Sequence, residues 1–116
     1  MSDDVELLRR VYALFNGRDI ESVLAAMHPD VVWANGMEGG HVHGRDEVRS
    51  YWKSQWAIID PHVEPVEISP NGEGEFVVKV HQVVRDPKGN LLADRIVIHV
   101  FHIQNRLIQR FDIRDV

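Results

Sequence analysis

Apolar positions recur at three- and four-residue spacing through the first half of the chain, and at two-residue or continuous spacing through the second. Val5, Leu8, Val11, Tyr12 and Phe15 trace one helical face behind Ser2-Asp3-Asp4, which can cap its start, and Asn16-Gly17 stops it. Asp19 reads as the next N-cap, with Ile20, Val23, Leu24 and Met27 as the stripe of a short second helix that His28-Pro29 ends. Val31-Val32-Trp33 predicts a brief strand, and Asn35-Gly36 through Gly39-Gly40 a loop too glycine-rich for regular structure. A third helix opens at Arg45, carries Val48, Tyr51, Trp52, Gln55, Trp56 and Ile59 along one side, and closes at Pro61.

Residues 63–68, 76–85, 91–103 and 107–113 are rich in Val, Ile and Phe and separated by turn signals, so they read as strands of an antiparallel meander. Asp86-Pro87-Lys88-Gly89 predicts a turn that pairs Asp86 with Asn90, and Gln104-Asn105-Arg106 a hairpin that pairs Ile103 with Leu107. Those registers put Lys79, His81, Arg95, Val97, His99, Phe101, Gln109, Phe111, Ile113 and Asp115 on one face. Phe76, Val78, Val80, Ile96, Ile98, Val100, His102, Ile108, Arg110, Asp112 and Arg114 fall on the other. One face is expected to pack on the helices around a cavity. The other, with its alternating Arg110, Asp112 and Arg114, is expected to meet a second subunit through ion pairs; a single β-bulge would swap part of the assignment.

Three helices followed by a meander make an α+β domain, and 116 residues suffice for a single domain spanning 1–116. The net charge of −5, with signs interspersed, argues against a nucleic-acid-binding face, which needs clustered positive charge. The absence of cysteine removes thiolate nucleophiles, disulfides and thiolate zinc sites. An acidic start and the lack of any apolar run near the ~18 residues a membrane span needs lead to the expectation of a cytoplasmic protein with no membrane partner. Phosphate-loop, dinucleotide, serine-elbow and zincin motifs are missing from the sequence.

The stretch Asn16-Gly17-Arg18-Asp19-Ile20, the Asp30-Val31-Val32-Trp33 strand and Gly44-Arg45-Asp46-Glu47-Val48 opening a helix, in this order and spacing, resemble the nuclear transport factor 2-like superfamily. Within it the chain is similar to the SnoaL-like polyketide cyclase and ketosteroid isomerase group, from Val5 to Asp115. The resemblance implies a cone-shaped, strongly curved antiparallel sheet covered by three N-terminal helices (a cystatin-like α+β barrel), an apolar pocket at the open end, and a homodimer through the outer sheet face. It also implies cofactor-free proton transfer next to a carbonyl: isomerisation, cyclisation or dehydration. Non-enzymatic binding or interaction modules share the fold, which leaves that alternative open. By position, the isomerase base falls on Asn35, an amide that cannot act as a base; the oxyanion-binding acid falls on His99; the helix-one tyrosine falls on Val11, beside Tyr12. The cyclase carboxylate falls near Asp112 or Asp115, and face parity favours Asp115.

The expected catalytic set is therefore His99 as proton donor or oxyanion stabiliser, Asp115 or His81 orienting it or acting as base, and Asn35 positioning substrate. Tyr12, Phe15, Trp33, Met37, Trp52, Trp56, His81, Phe101 and Phe111 are expected to line the pocket around a small apolar or aromatic molecule. His41-Val42-His43 followed by Glu47 has the spacing of a cupin metal motif. It lacks the second half of that motif and reads instead as polar residues at a pocket rim, so no metal and no cofactor is assigned.

Overall fold

The computed structural model describes residues 3–36 and 38–114; Met37 and Asp115 lie outside the described residues. The elements run α1 (Asp3–Asn16), α2 (Ile20–Ala25), β1 (Met27–Ala34), β2 (His41–His43), α3 (Gly44–Ile58), β3 (Asp60–Pro70), β4 (Glu75–Arg85), β5 (Leu91–Gln104) and β6 (Leu107–Arg114). The strands form one curved, unclosed sheet in the order β2-β1-β6-β5-β4-β3. All neighbours are antiparallel except β1 and β6, which run parallel and so close the meander back onto the first strand.

Leu7, Leu8, Val11 and Tyr12 from α1, Val23 and Leu24 from α2, and Val48 and Trp52 from α3 are buried against the concave side of the sheet. The 3.6-residue period that marks these helices is thus the period of a single buried stripe. The last turn of α1 is tied to β3 by Asn16, whose amide donates to Val63 O at 2.7 Å and accepts from Val63 N at 3.0 Å, copying a strand's pairing with one side chain. Met27 begins β1 rather than ending α2, because Ala26 closes α2 by donating to Val23 O and Met27 pairs with Ile108. The three prolines of β3 (Pro61, Pro65 and Pro70) are tolerated because β3 is an edge strand with only β4 beside it. Among the described residues no helix is long and apolar enough to cross a membrane.

One extra residue decides which side chains face the helices. Arg85 pairs with Leu91 but Val84 pairs with Ala93, so Leu92 is a bulge on β5. Beyond it, even residues of β4 share a face with odd residues of β5. Phe76, Val78 and Val80 therefore turn into the core, while Lys79 and His81 turn to the convex side, reversing the face predicted for them. At the other hairpin Asn105 and Arg106, at φ 55° and 64°, form a two-residue left-handed turn and Gln104, not Ile103, faces Leu107. A second irregularity between His102 and Ile103 restores the odd-with-odd parity, so His99, Phe101, Phe111 and Ile113 share the concave face as expected.

Candidate functional site

The concave face and the helices enclose a cavity of about 230 Å³. Its walls are aromatic. Trp33 stacks on Phe111 with ring centres 4.1 Å apart, Trp52 meets Trp33 edge-on at 5.4 Å, and Phe15 meets Trp52 at 5.3 Å. Phe101 packs against Phe111 at 5.0 Å, and Tyr12 meets Phe101 edge-on. The cavity therefore offers flat apolar surfaces on several sides, the environment that ring systems favour.

One polar pair is set into these walls. Tyr12 Oη and His99 Nδ1 are 2.7 Å apart, and the two residues are only 4% and 6% exposed. Burial pushes the His99 imidazole down to about 3 and the Tyr12 phenol well above 10, so both are neutral at ordinary pH. A phenol is the better donor and an imidazole nitrogen the better acceptor, which favours the tautomer in which Tyr12 donates to Nδ1 and His99 carries its proton on Nε2. Nε2 has no protein partner among the described residues. His99 is thus a neutral, oriented hydrogen-bond donor rather than a base that titrates near neutrality.

Seven of the predicted residues come together here: Tyr12, Phe15, Trp33, Trp52, His99, Phe101 and Phe111 all line the cavity. Three do not. Asn35 lies in a separate open groove, where its side chain accepts from Glu38 N at 2.9 Å and its backbone closes the 35–40 loop onto Gly39 and Gly40. Trp56 sits behind the wall, stacked on Trp52 and under the Arg18 guanidinium, 4.8 Å from its ring centre. His81 is on the convex face, bonded to Asp94 at 2.6 Å, because of the Leu92 bulge. It cannot orient His99; Tyr12 does that. Met37 and Asp115 are outside the described residues.

The cupin-like spacing dissolves into local bonds. Glu47 accepts the His43 backbone N–H at 2.7 Å as a helix cap, and His41 bonds Asp112 at 2.8 Å. Asp112 also pairs with Arg110 at 2.7 Å, so this acid of the expected intersubunit set is already neutralised within its own chain. Arg110 and, less directly, His41 hold the Asp112 carboxyl below the usual range.

The cavity also uses residues that were not singled out for it. Tyr51 and Gln55 flank Trp52 on α3 and line the cavity with it, and the Tyr51 hydroxyl accepts from Gly36 N at 3.0 Å and Gln55 Nε2 at 3.2 Å. Gln82, Val84, Ala93 and Arg95 form the outer wall on β4 and β5. Gln82 and Val84 become visible as lining residues only once the bulge is placed.

The SnoaL-like domain family model matches residues 8–114, and the chain belongs to that family. Among solved structures it is similar to a nuclear transport factor 2-like protein of unknown function from Burkholderia pseudomallei, at 30% identity and TM-score 0.88, over 100% of this chain and 92% of that one. It is likewise similar to TerC, co-crystallised with polyporic acid, at 25% identity and TM-score 0.87, over 99% and 92%. A polyketide cyclase candidate from Pseudomonas putida shares the fold at 16% identity and TM-score 0.84, over 100% and 93%. Comparison of the sequence with curated proteins gives no match. The fold is one of a ligand-binding pocket.

Proposed function

We propose that the protein binds a small, apolar, ring-bearing molecule whose carbonyl or hydroxyl oxygen accepts a hydrogen bond from His99 Nε2. The observation that carries this reading is a buried, neutral His99 held by Tyr12 in a cavity wall built mostly of aromatic and aliphatic side chains. His99 Nε2 has no partner among the described residues, and a ligand oxygen placed against it gains a hydrogen bond in a largely apolar wall. TerC, similar at 25% identity, was co-crystallised with polyporic acid, which supports a ring-bearing ligand. Binding of 2-acetylnaphthalene followed by quenching of Trp33 and Trp52 fluorescence tests it. The wild type is expected to bind saturably and His99→Phe to weaken binding by roughly tenfold, the worth of one buried hydrogen bond. Equal affinity of the two proteins would sink the reading.

The buried dyad also favours turnover, since a donor aimed at a carbonyl oxygen stabilises the enolate formed when a proton leaves the adjacent carbon. No carboxylate lines the cavity among the described residues, so the base in this reading is Asp115, chosen by its place two residues beyond Ile113. Deuterium exchange at the methyl group of 2-acetylnaphthalene, fast in the wild type and slow in Asp115→Asn, is the expected signature. Exchange no faster than in buffer assigns the protein to the binding class.

We further propose a homodimer through the convex face, where Val77, Val83, Ile96 and Ile98 lie between polar neighbours. Sedimentation is expected to give a dimer at micromolar concentration and Ile96→Glu a monomer; a monomeric wild type removes the interface.

A further inference from the structure

The cavity has a cation at its mouth with no acid beside it among the described residues. Of the described residues that line it, Arg95 alone carries a full charge, and no Asp, Glu or Lys stands opposite. Arg95 faces Gln82 across the β4–β5 ladder, and its Nε donates to Gln82 Oε1 at 3.0 Å. That bond fixes the guanidinium by one edge and leaves both terminal nitrogens without a protein acceptor among the described residues. The acid next to it in sequence, Asp94, points to the opposite face and is bonded to His81 at 2.6 Å. Elsewhere the chain spends its acids on arginines: Arg49 holds Glu21 and Asp46, Arg110 holds Asp112, and Arg18 holds Asp60.

Resting on the ligand-binding reading above, we propose that Arg95 recognises a carboxylate, so that the ligand is a small ring-bearing acid lying between Arg95 at the mouth and His99 within. Two free terminal N–H groups on a tethered guanidinium match the two oxygens of a carboxylate better than a point charge would. Arg95 and His99 are four residues apart on the concave face of β5, a span of about 13 Å along an extended strand, which one fused ring system with a substituent at each end can bridge. Among the described residues the wall holds no acid that would compete with a ligand carboxylate for Arg95, in a chain whose net charge is −5. A ligand acid thus gains at this mouth what it would lose near most of the remaining surface.

Calorimetric titration of the intact protein with 6-acetyl-2-naphthoic acid and with its methyl ester separates charge from shape. The acid is expected to bind roughly tenfold more tightly than the ester in low salt. That advantage should shrink as sodium chloride is raised. Arg95→Gln should abolish the difference between the two probes, and Arg95→Lys should retain part of it. Arg95 is exposed, so neither substitution threatens the fold. Equal binding of acid and ester to the wild type, or an acid advantage that survives in Arg95→Gln, overturns the assignment and leaves the apolar pocket standing. If neither probe nor 2-acetylnaphthalene binds, the ligand-binding reading falls and this assignment falls with it.

Discussion

The phenolic oxygen of Tyr12 on α1 and Nδ1 of His99 on β5 lie 2.7 Å apart, a buried contact between residues 87 positions apart in the chain. It ties the first helix to the centre of the sheet and selects the imidazole tautomer at the same time. Tyr12→Phe keeps the ring and removes the bond, leaving a buried nitrogen unsatisfied. The expected loss is about 1–2 kcal/mol in urea unfolding. Nitrogen chemical shifts of His99 should move from a single Nε2–H tautomer to a mixture; an unchanged tautomer would mean that something else orients the ring.

Because burial holds the native His99 at about 3 while the unfolded imidazole titrates near 6.5, the unfolded chain binds an extra proton between those values. Stability contributed by neutral His99 is complete above pH 6.5 and is lost as the pH falls toward 3. The slope is at most about 1.4 kcal/mol per pH unit. Urea midpoints measured from pH 7 to pH 4 should therefore fall more steeply for the wild type than for His99→Gln. Parallel curves would show that the ring is not desolvated.

Trp52 is 1% exposed and touches Phe15, Trp33 and Trp56. Trp52→Ala should cost about 3–5 kcal/mol by removing a wall shared by core and cavity. A change below about 1 kcal/mol would mean that the neighbouring rings collapse into the space.

Gly74 has φ +75°, and a Cβ there would stand 2.8 Å from the Ile103 carbonyl oxygen. The Gly74 carbonyl also accepts from Ile103 N at 2.7 Å, so the turn before β4 cannot back away. Gly74→Ala should lower stability by about 1–3 kcal/mol with no effect on the cavity, read by thermal unfolding. Gly89, at φ +92° but with open space around it, should show only the smaller conformational part.

The helices were legible because each buries one stripe, and the stripe is written in the spacing of Leu8, Val11, Tyr12 and Phe15 or of Val48, Trp52 and Trp56. The strands were legible by composition, yet their facing was not, since strand parity is a sum over every residue of a hairpin and one bulge reverses it. Leu92 carries no mark that distinguishes it from Leu91; both are exposed. His81 was accordingly placed in the pocket and belongs outside it, while His99 kept its place because the second hairpin contains two compensating shifts. Asn35 lies outside the cavity lining for another reason: an asparagine before a glycine-rich loop can close that loop, and here its side chain accepts from Glu38 N. Tyr12 and His99 were each visible as candidates, but their contact is long-range and no spacing encodes it.

The corner at Leu92 makes changes of length and changes of identity unequal events in the history of this chain. Swapping side chains along β4 and β5 re-tiles the hollow piecemeal, one position at a time. Losing a single amino acid at that corner would exchange the lining of half the sheet for its outer coat, presenting Lys79 and His81 to the interior in one step. Descendants that diversify their ligands are therefore expected to vary the tiles and to conserve the count between Arg85 and Ala93.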